Sequence, residues 1–88
     1  MEQKYRTLQT IYEIVKHDPR PHTYLCNQRE IIVRQMMGWD TIQQHLDELA
    51  AEELISVKRL GSIAISITLA GIEKVRSFSD DHANAFYS

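Results

Sequence analysis

Cysteine is nearly absent from this sequence. Cys26 stands alone, so no disulfide can form within the chain, and a single thiol fits a reducing compartment. Long apolar runs are missing as well: no stretch approaches the about 18 residues that a membrane-spanning helix needs. Nor does a basic segment lead into an apolar one at the start. The expectation is a cytoplasmic chain with neither membrane span nor secretion signal. Positive charge is not in excess either. Ten Lys and Arg stand against twelve Asp and Glu, a formal net charge of −2. Asp80 and Asp81 supply the difference, so the residues before them are neutral as a group. A neutral domain does not bind nucleic acid tightly and indiscriminately; specific binding requires that its basic residues gather on one face.

Catalytic constellations are lacking too. The three glycines form no phosphate-cradling loop, and no paired carboxylates with a histidine fall on elements that would converge. The chain reads as a non-enzyme. His17, Asp18, His22 and Cys26 lie within ten residues and are all metal-ligand types, but their spacing matches no zinc finger. They read as scattered polar loop residues, with no metal and no cofactor expected. Cys26 precedes a helix start, where a thiol can be reactive; its simpler reading is a small buried residue.

What is present is one small domain. Eighty-eight residues, 43% of them apolar, suffice for a single core, though barely. The organising stretch is Thr41 to Gly71, whose hydrophobic period changes partway along. Ile42, Leu46 and Leu49 follow helical spacing. Ile55 and Val57, then Ile63, Ile65 and Ile67, alternate with polar or small residues as half-buried strands do.

Taken in order, a first helix is predicted from about Lys4 to Lys16. Its stripe is Tyr5, Leu8, Tyr12 and Val15, widened by Ile11 and Ile14. A stripe this wide reads as core, or in part as a dimer surface. Asp18-Pro19-Arg20-Pro21 ends the helix. His22–Leu25 is predicted as a loop holding one short strand that adds to the hairpin edge. Asn27 and Glu30 have capping-box spacing, so a second helix follows to about Gln35 or Met36. Its buried side is expected to be Ile31, Ile32, Gln35 and Met36, with Arg29 and Arg34 exposed. Gly38 is expected to take the left-handed turn. The third helix is predicted from Trp39 or Asp40 to about Glu53, with His45 on its flank and Trp39 as a lid on the core. The hairpin pairs Leu54–Arg59 with Ser62–Ile67, with Leu60-Gly61 at its tip. Thr68 then caps a short last helix to about Ser77, with Ile72 and Val75 turned inward. The domain is placed at residues 1–77. Residues 78–88 are expected to be a flexible tail, or an arm that orders on a partner through Phe78, Phe86 and Tyr87.

Two segments carry a family resemblance. Thr41-Ile42-Gln43-Gln44-His45-Leu46-Asp47-Glu48-Leu49, running on to Glu53-Leu54-Ile55, resembles the recognition helix of winged helix-turn-helix regulators. Ile67-Thr68-Leu69-Ala70-Gly71 is similar to the Leu-Thr-x-x-Gly that closes the wing in the broad MarR/PadR-like prokaryotic group. Glu53 stands where the group usually has glycine. The resemblance implies an α+β, mostly helical winged helix-turn-helix fold: three core helices, a wing of two to three strands and a short C-terminal helix. It implies a transcriptional regulator that binds double-stranded DNA as a homodimer, through helix 1 and the C-terminal region.

On that reading Gln43 and Gln44 face base edges, since glutamine pairs with adenine in a bidentate fashion. Thr41 contacts a phosphate or a thymine methyl. Lys58 and Arg59 at the wing, with Arg29 and Arg34 on helix 2, hold the backbone. A second reading uses the same fold as a protein-interaction module. Residues 40–53 hold five acidic residues (Asp40, Asp47, Glu48, Glu52, Glu53) and no Lys or Arg, which suits a protein partner.

Overall fold

The apolar stripe of the first helix decides where the core lies. In a computed structural model, α1 spans Gln3–Val15, and Leu8, Ile11 and Val15 are fully buried, with Tyr5, Tyr12 and Ile14 packed beside them. The structure describes the backbone of residues 2–87 and, apart from Leu60 and residues 79–87, their side chains. The stripe is thus consumed inside the chain. Each fully buried aliphatic side chain contributes about 1.5–3 kcal/mol of transfer free energy.

After α1 the chain does not form the expected strand at His22–Leu25. Pro21–Thr23 is instead a 3₁₀ turn, closed by the Thr23 hydroxyl donating to the Arg20 carbonyl at 2.8 Å. Proline at its first position fixes φ for that turn. Strand β1 is displaced to Cys26–Asn27. It does join the hairpin edge, as expected, with Cys26 opposite Ile65.

Helix α2, Gln28–Gln35, begins with the capping box read from the sequence. The Glu30 N–H donates to Asn27 Oδ1 at 2.9 Å, and the Asn27 N–H donates back to Glu30 Oε1 at 3.3 Å. Its end differs from expectation. Met36, not Gly38, takes the left-handed conformation (φ 54°), while Gly38 is extended at φ −63° and leads into α3. The Met36 N–H closes the last turn on the Ile32 carbonyl at 2.9 Å, so the turn falls one residue after α2 ends. Met36 is consequently 89% exposed and leaves the buried side; Ile31 is the residue of α2 that is fully covered.

Helix α3 spans Trp39–Ala51 and buries Ile42, Leu46 and Leu49 as the spacing demands. His45, expected on the flank, is buried, because Thr7 of α1 offers its ring a hydrogen bond at 2.8 Å. A buried polar ring is tolerated only with such a partner. The helix ends two residues earlier than expected, in a Schellman-type closure. The Leu54 N–H reaches the Leu49 carbonyl and the Glu53 N–H reaches the Ala50 carbonyl, both at 3.0 Å. That closure needs a left-handed residue, and Glu53 supplies it at φ 62°.

Strands β2, Ile55–Leu60, and β3, Ser62–Ile67, pair antiparallel across Gly61, which has φ 77°. The sheet order is β1-β3-β2. Thr68 then does three things at once. Its N–H meets the Leu54 carbonyl, its hydroxyl donates to the Glu53 carbonyl at 2.8 Å, and that hydroxyl accepts the Gly71 N–H at 3.0 Å. Helix α4 follows, Leu69–Tyr87, with Ile72 and Val75 buried. It runs well past the expected end at Ser77, since residues 77–87 contain no glycine or proline to stop it. The arm expected at Phe86 and Tyr87 concerns side chains outside the described residues. The fold is therefore α+β, with four α-helices and a three-stranded antiparallel sheet among the described residues. Also among these, no helix is long and apolar enough to cross a membrane.

Candidate nucleic-acid interface

The capping box fixes where α2 starts, and β1 just before it is paired to β3. Those two constraints bring the first turn of α2 against the hairpin tip. Asn27, Gln28 and Arg29 form one wall of a groove of about 460 Å³, and Gly61, Ser62 and Ile63 form the other. Ile63 stands opposite Arg59 in the β2–β3 ladder. Paired residues share a face of the sheet, so Arg59 neighbours Ile63 from β2, while Arg29 shares the groove with Ile63 from the β1 side. Lys58, one position earlier, lies on the other face of the hairpin and is exposed. Three of the four basic candidates thus collect at the hairpin.

Arg34 does not join them. Five residues separate it from Arg29, which turns it to a different side of α2. It lines a groove against α1 with Arg6 and Glu13. All four basic candidates are exposed.

On α3 the first two turns present Thr41 and Gln44 to solvent, with Gln43 half-buried. Gly38 precedes these turns and carries no side chain that would screen them. Asp47 and Glu48 follow three and four positions after Gln44, on the same exposed side. The acidic character of α3 is real at those two positions and at exposed Asp40 in its first turn. It does not extend to Glu52, which is turned back onto α1. Lys4 Nζ lies 2.8 Å from Glu52 Oε2, and the Tyr5 hydroxyl donates to Glu52 Oε1 at 2.9 Å. Those two contacts, that from Lys4 first, hold the Glu52 carboxyl below its ordinary range, and the hydrogen bond to Glu52 raises the Tyr5 hydroxyl above its own. Lys74 of α4 lies 5.1 Å from the Tyr5 ring centre, and the Tyr5 and Phe78 rings are 5.5 Å apart. Sequence reasoning did not find this cluster, because its members come from three helices with no local spacing to link them.

Cys26 is wholly buried, and burial pushes its thiol up to about 12. A neutral, covered sulfur is a core residue, not a reactive one. His17 and His22 are exposed. Among the described residues no three His, Cys, Asp or Glu side chains converge on a point where a metal would sit.

No known protein family, curated protein or solved structure matches this chain.

Proposed function

We propose that this protein is a winged helix-turn-helix transcriptional regulator that binds double-stranded DNA in the cytoplasm. The observation that carries the reading is that exposed Arg29 lines the groove at the hairpin tip, on a hairpin that also carries exposed Lys58 and Arg59. The element order supports it as well. Helix, strand, two helices joined by a three-residue turn, hairpin and closing helix, with β1 on the hairpin's inner edge, suit a helix-turn-helix with a wing.

In this mechanism the first two turns of α3 enter the major groove. Gln44 and Gln43 meet base edges, each good bidentate pair giving about 1–3 kcal/mol of discrimination. Thr41 contacts a phosphate or thymine methyl. Lys58, Arg59 and Arg29 neutralise phosphates, which makes the affinity salt-dependent. Arg34 belongs to the opposite side of α2 and contributes less. Asp47 and Glu48 sit past those two turns and set how deeply α3 is inserted. A homodimer is part of the proposal. Because the α1 stripe is core, the pairing surface is α4 with the exposed part of α1 that lies away from α2.

The test is binding to random-sequence duplex at two salt concentrations, followed by selection of an enriched site. Lys58→Glu with Arg59→Glu is expected to abolish binding while the fold is kept. Full retention in the double variant sinks the wing assignment. The competing reading, a protein-interaction module, draws on exposed Asp47 and Glu48 and on the exposed apolar pair Val33 and Met36. Absence of DNA binding at low salt favours it.

A further inference from the structure

The second groove of the molecule lies on the far side of α2 from the hairpin. It has a volume of about 490 Å³ and is lined by Arg6, Gln9, Thr10 and Glu13 of α1, by Arg34 and Gln35 of α2, and by Met37. Pockets of about 300–1,000 Å³ are the size that holds small molecules. Its lining is polar, and three of its features are unspent. Arg6 and Arg34 bring guanidinium groups from two different helices, and neither is in an ion pair among the described residues. Glu13, the acid that would neutralise them, is engaged instead by Lys16 at 2.6 Å. Gln35 Oε1 is buried with no hydrogen-bond partner, an arrangement that costs free energy until a donor arrives.

We propose that the α1–α2 groove binds a small hydroxycarboxylate, with its carboxylate held by Arg6 and Arg34 and its hydroxyl donating to Gln35. Arginine's planar fork suits a carboxylate in a bidentate pair. Gln35 lines the groove and its Oε1 has no partner, so a small shift of the side chain lets that oxygen accept from the ligand hydroxyl without breaking a bond to that atom. The groove ends at Met37, in the turn between α2 and α3, so an occupant braces that turn. The assignment does not rest on the DNA reading and fails or survives independently of it.

The test is an amide NMR titration of the full chain with L-malate, with succinate as the comparison that lacks the hydroxyl. Saturable shifts centred on residues 6–13 and 34–37 are expected, with succinate bound more weakly. An Arg6→Gln/Arg34→Gln variant is expected to lose at least about tenfold in affinity, or 1.4 kcal/mol. Both positions are exposed, so the variant's own spectrum reports that the fold is kept. Absence of saturation with L-malate, unchanged affinity in the double variant, equal binding of the two acids, or shifts centred on Lys58 and Arg59 overturns the proposal.

Discussion

Thr7 Oγ1 and His45 Nδ1 meet at 2.8 Å inside the core, joining α1 to α3 across 38 residues of sequence. Both residues are buried. The pair fixes the rotation of α3 about its axis, and so decides which of its residues face solvent. Thr7→Val keeps the shape and removes the hydroxyl. It is expected to cost about 1–3 kcal/mol, since the ring nitrogen is left without a partner. Urea unfolding checks this, and a loss under half that range would mean that the ring finds another partner.

Gly71 of α4 packs on the end of the hairpin. A methyl group there would collide with the Leu54 carbonyl oxygen and stand 2.8 Å from Ile67 Cγ1. The Leu54 carbonyl is backbone and already accepts the Thr68 N–H, so it cannot give way. Gly71→Ala is expected to destabilise by about 2–3 kcal/mol, the upper part of the usual range for overpacking. A variant melting within a degree or two of the parent would contradict the close approach.

Glu53 holds a left-handed backbone at φ 62° at the end of α3. A side chain there costs free energy that glycine does not incur, partly offset by glycine's greater freedom when unfolded. Glu53→Gly is expected to stabilise by about 0.5–1 kcal/mol. Loss of stability in this variant would show that the carboxylate makes a contribution larger than the backbone strain.

Glu52 gives the pH dependence. Its carboxyl lies below the ordinary 4.5 in the folded chain, chiefly through the hydrogen bond from Lys4 and then that from Tyr5. Its contribution is therefore complete above the ordinary carboxylate value and is lost as pH falls through the lower folded value. Wild type is expected to be modestly more stable than Glu52→Gln near pH 7, because the group is solvent-exposed and screened. The difference should close in acid, once the pH has fallen through the lowered folded value. Denaturation curves at neutral and acid pH test it; a gap unchanged in acid would rule out the carboxylate as its source.

Local chemistry was readable from the residues, and long-range pairing was not. The capping box at Asn27 and Glu30, the Thr68 cap and the alternation of β3 each depend on neighbours within a few positions. They stand where the spacing put them. Strand β1 has two residues, too few for any period, so it was placed slightly early. Nothing near His45 in sequence announces Thr7, so helical phase alone puts the ring on the flank. Hydrophobicity alone predicts Met36 in the core, because the turn that exposes it is fixed by how α2 and α3 pack. In the candidate site, exposure of Thr41, Gln44, Arg29, Arg34, Lys58 and Arg59 followed from polarity and helical phase. Which of them meet did not. Arg29 reaches the hairpin through β1 pairing, and Arg34 faces α1 through its phase on α2.

Helix α1 touches α2, α3, α4 and the sheet, yet it is made before all of them. While the chain is being synthesised, Leu8, Ile11 and Val15 have no completed surface to rest on. The hairpin must emerge before Ile65 and Ile67 can close one side, and Val75 must follow before α4 closes another. An apolar stripe therefore stays incompletely covered until the hairpin and α4 are in place, a stage at which nascent domains are prone to self-association.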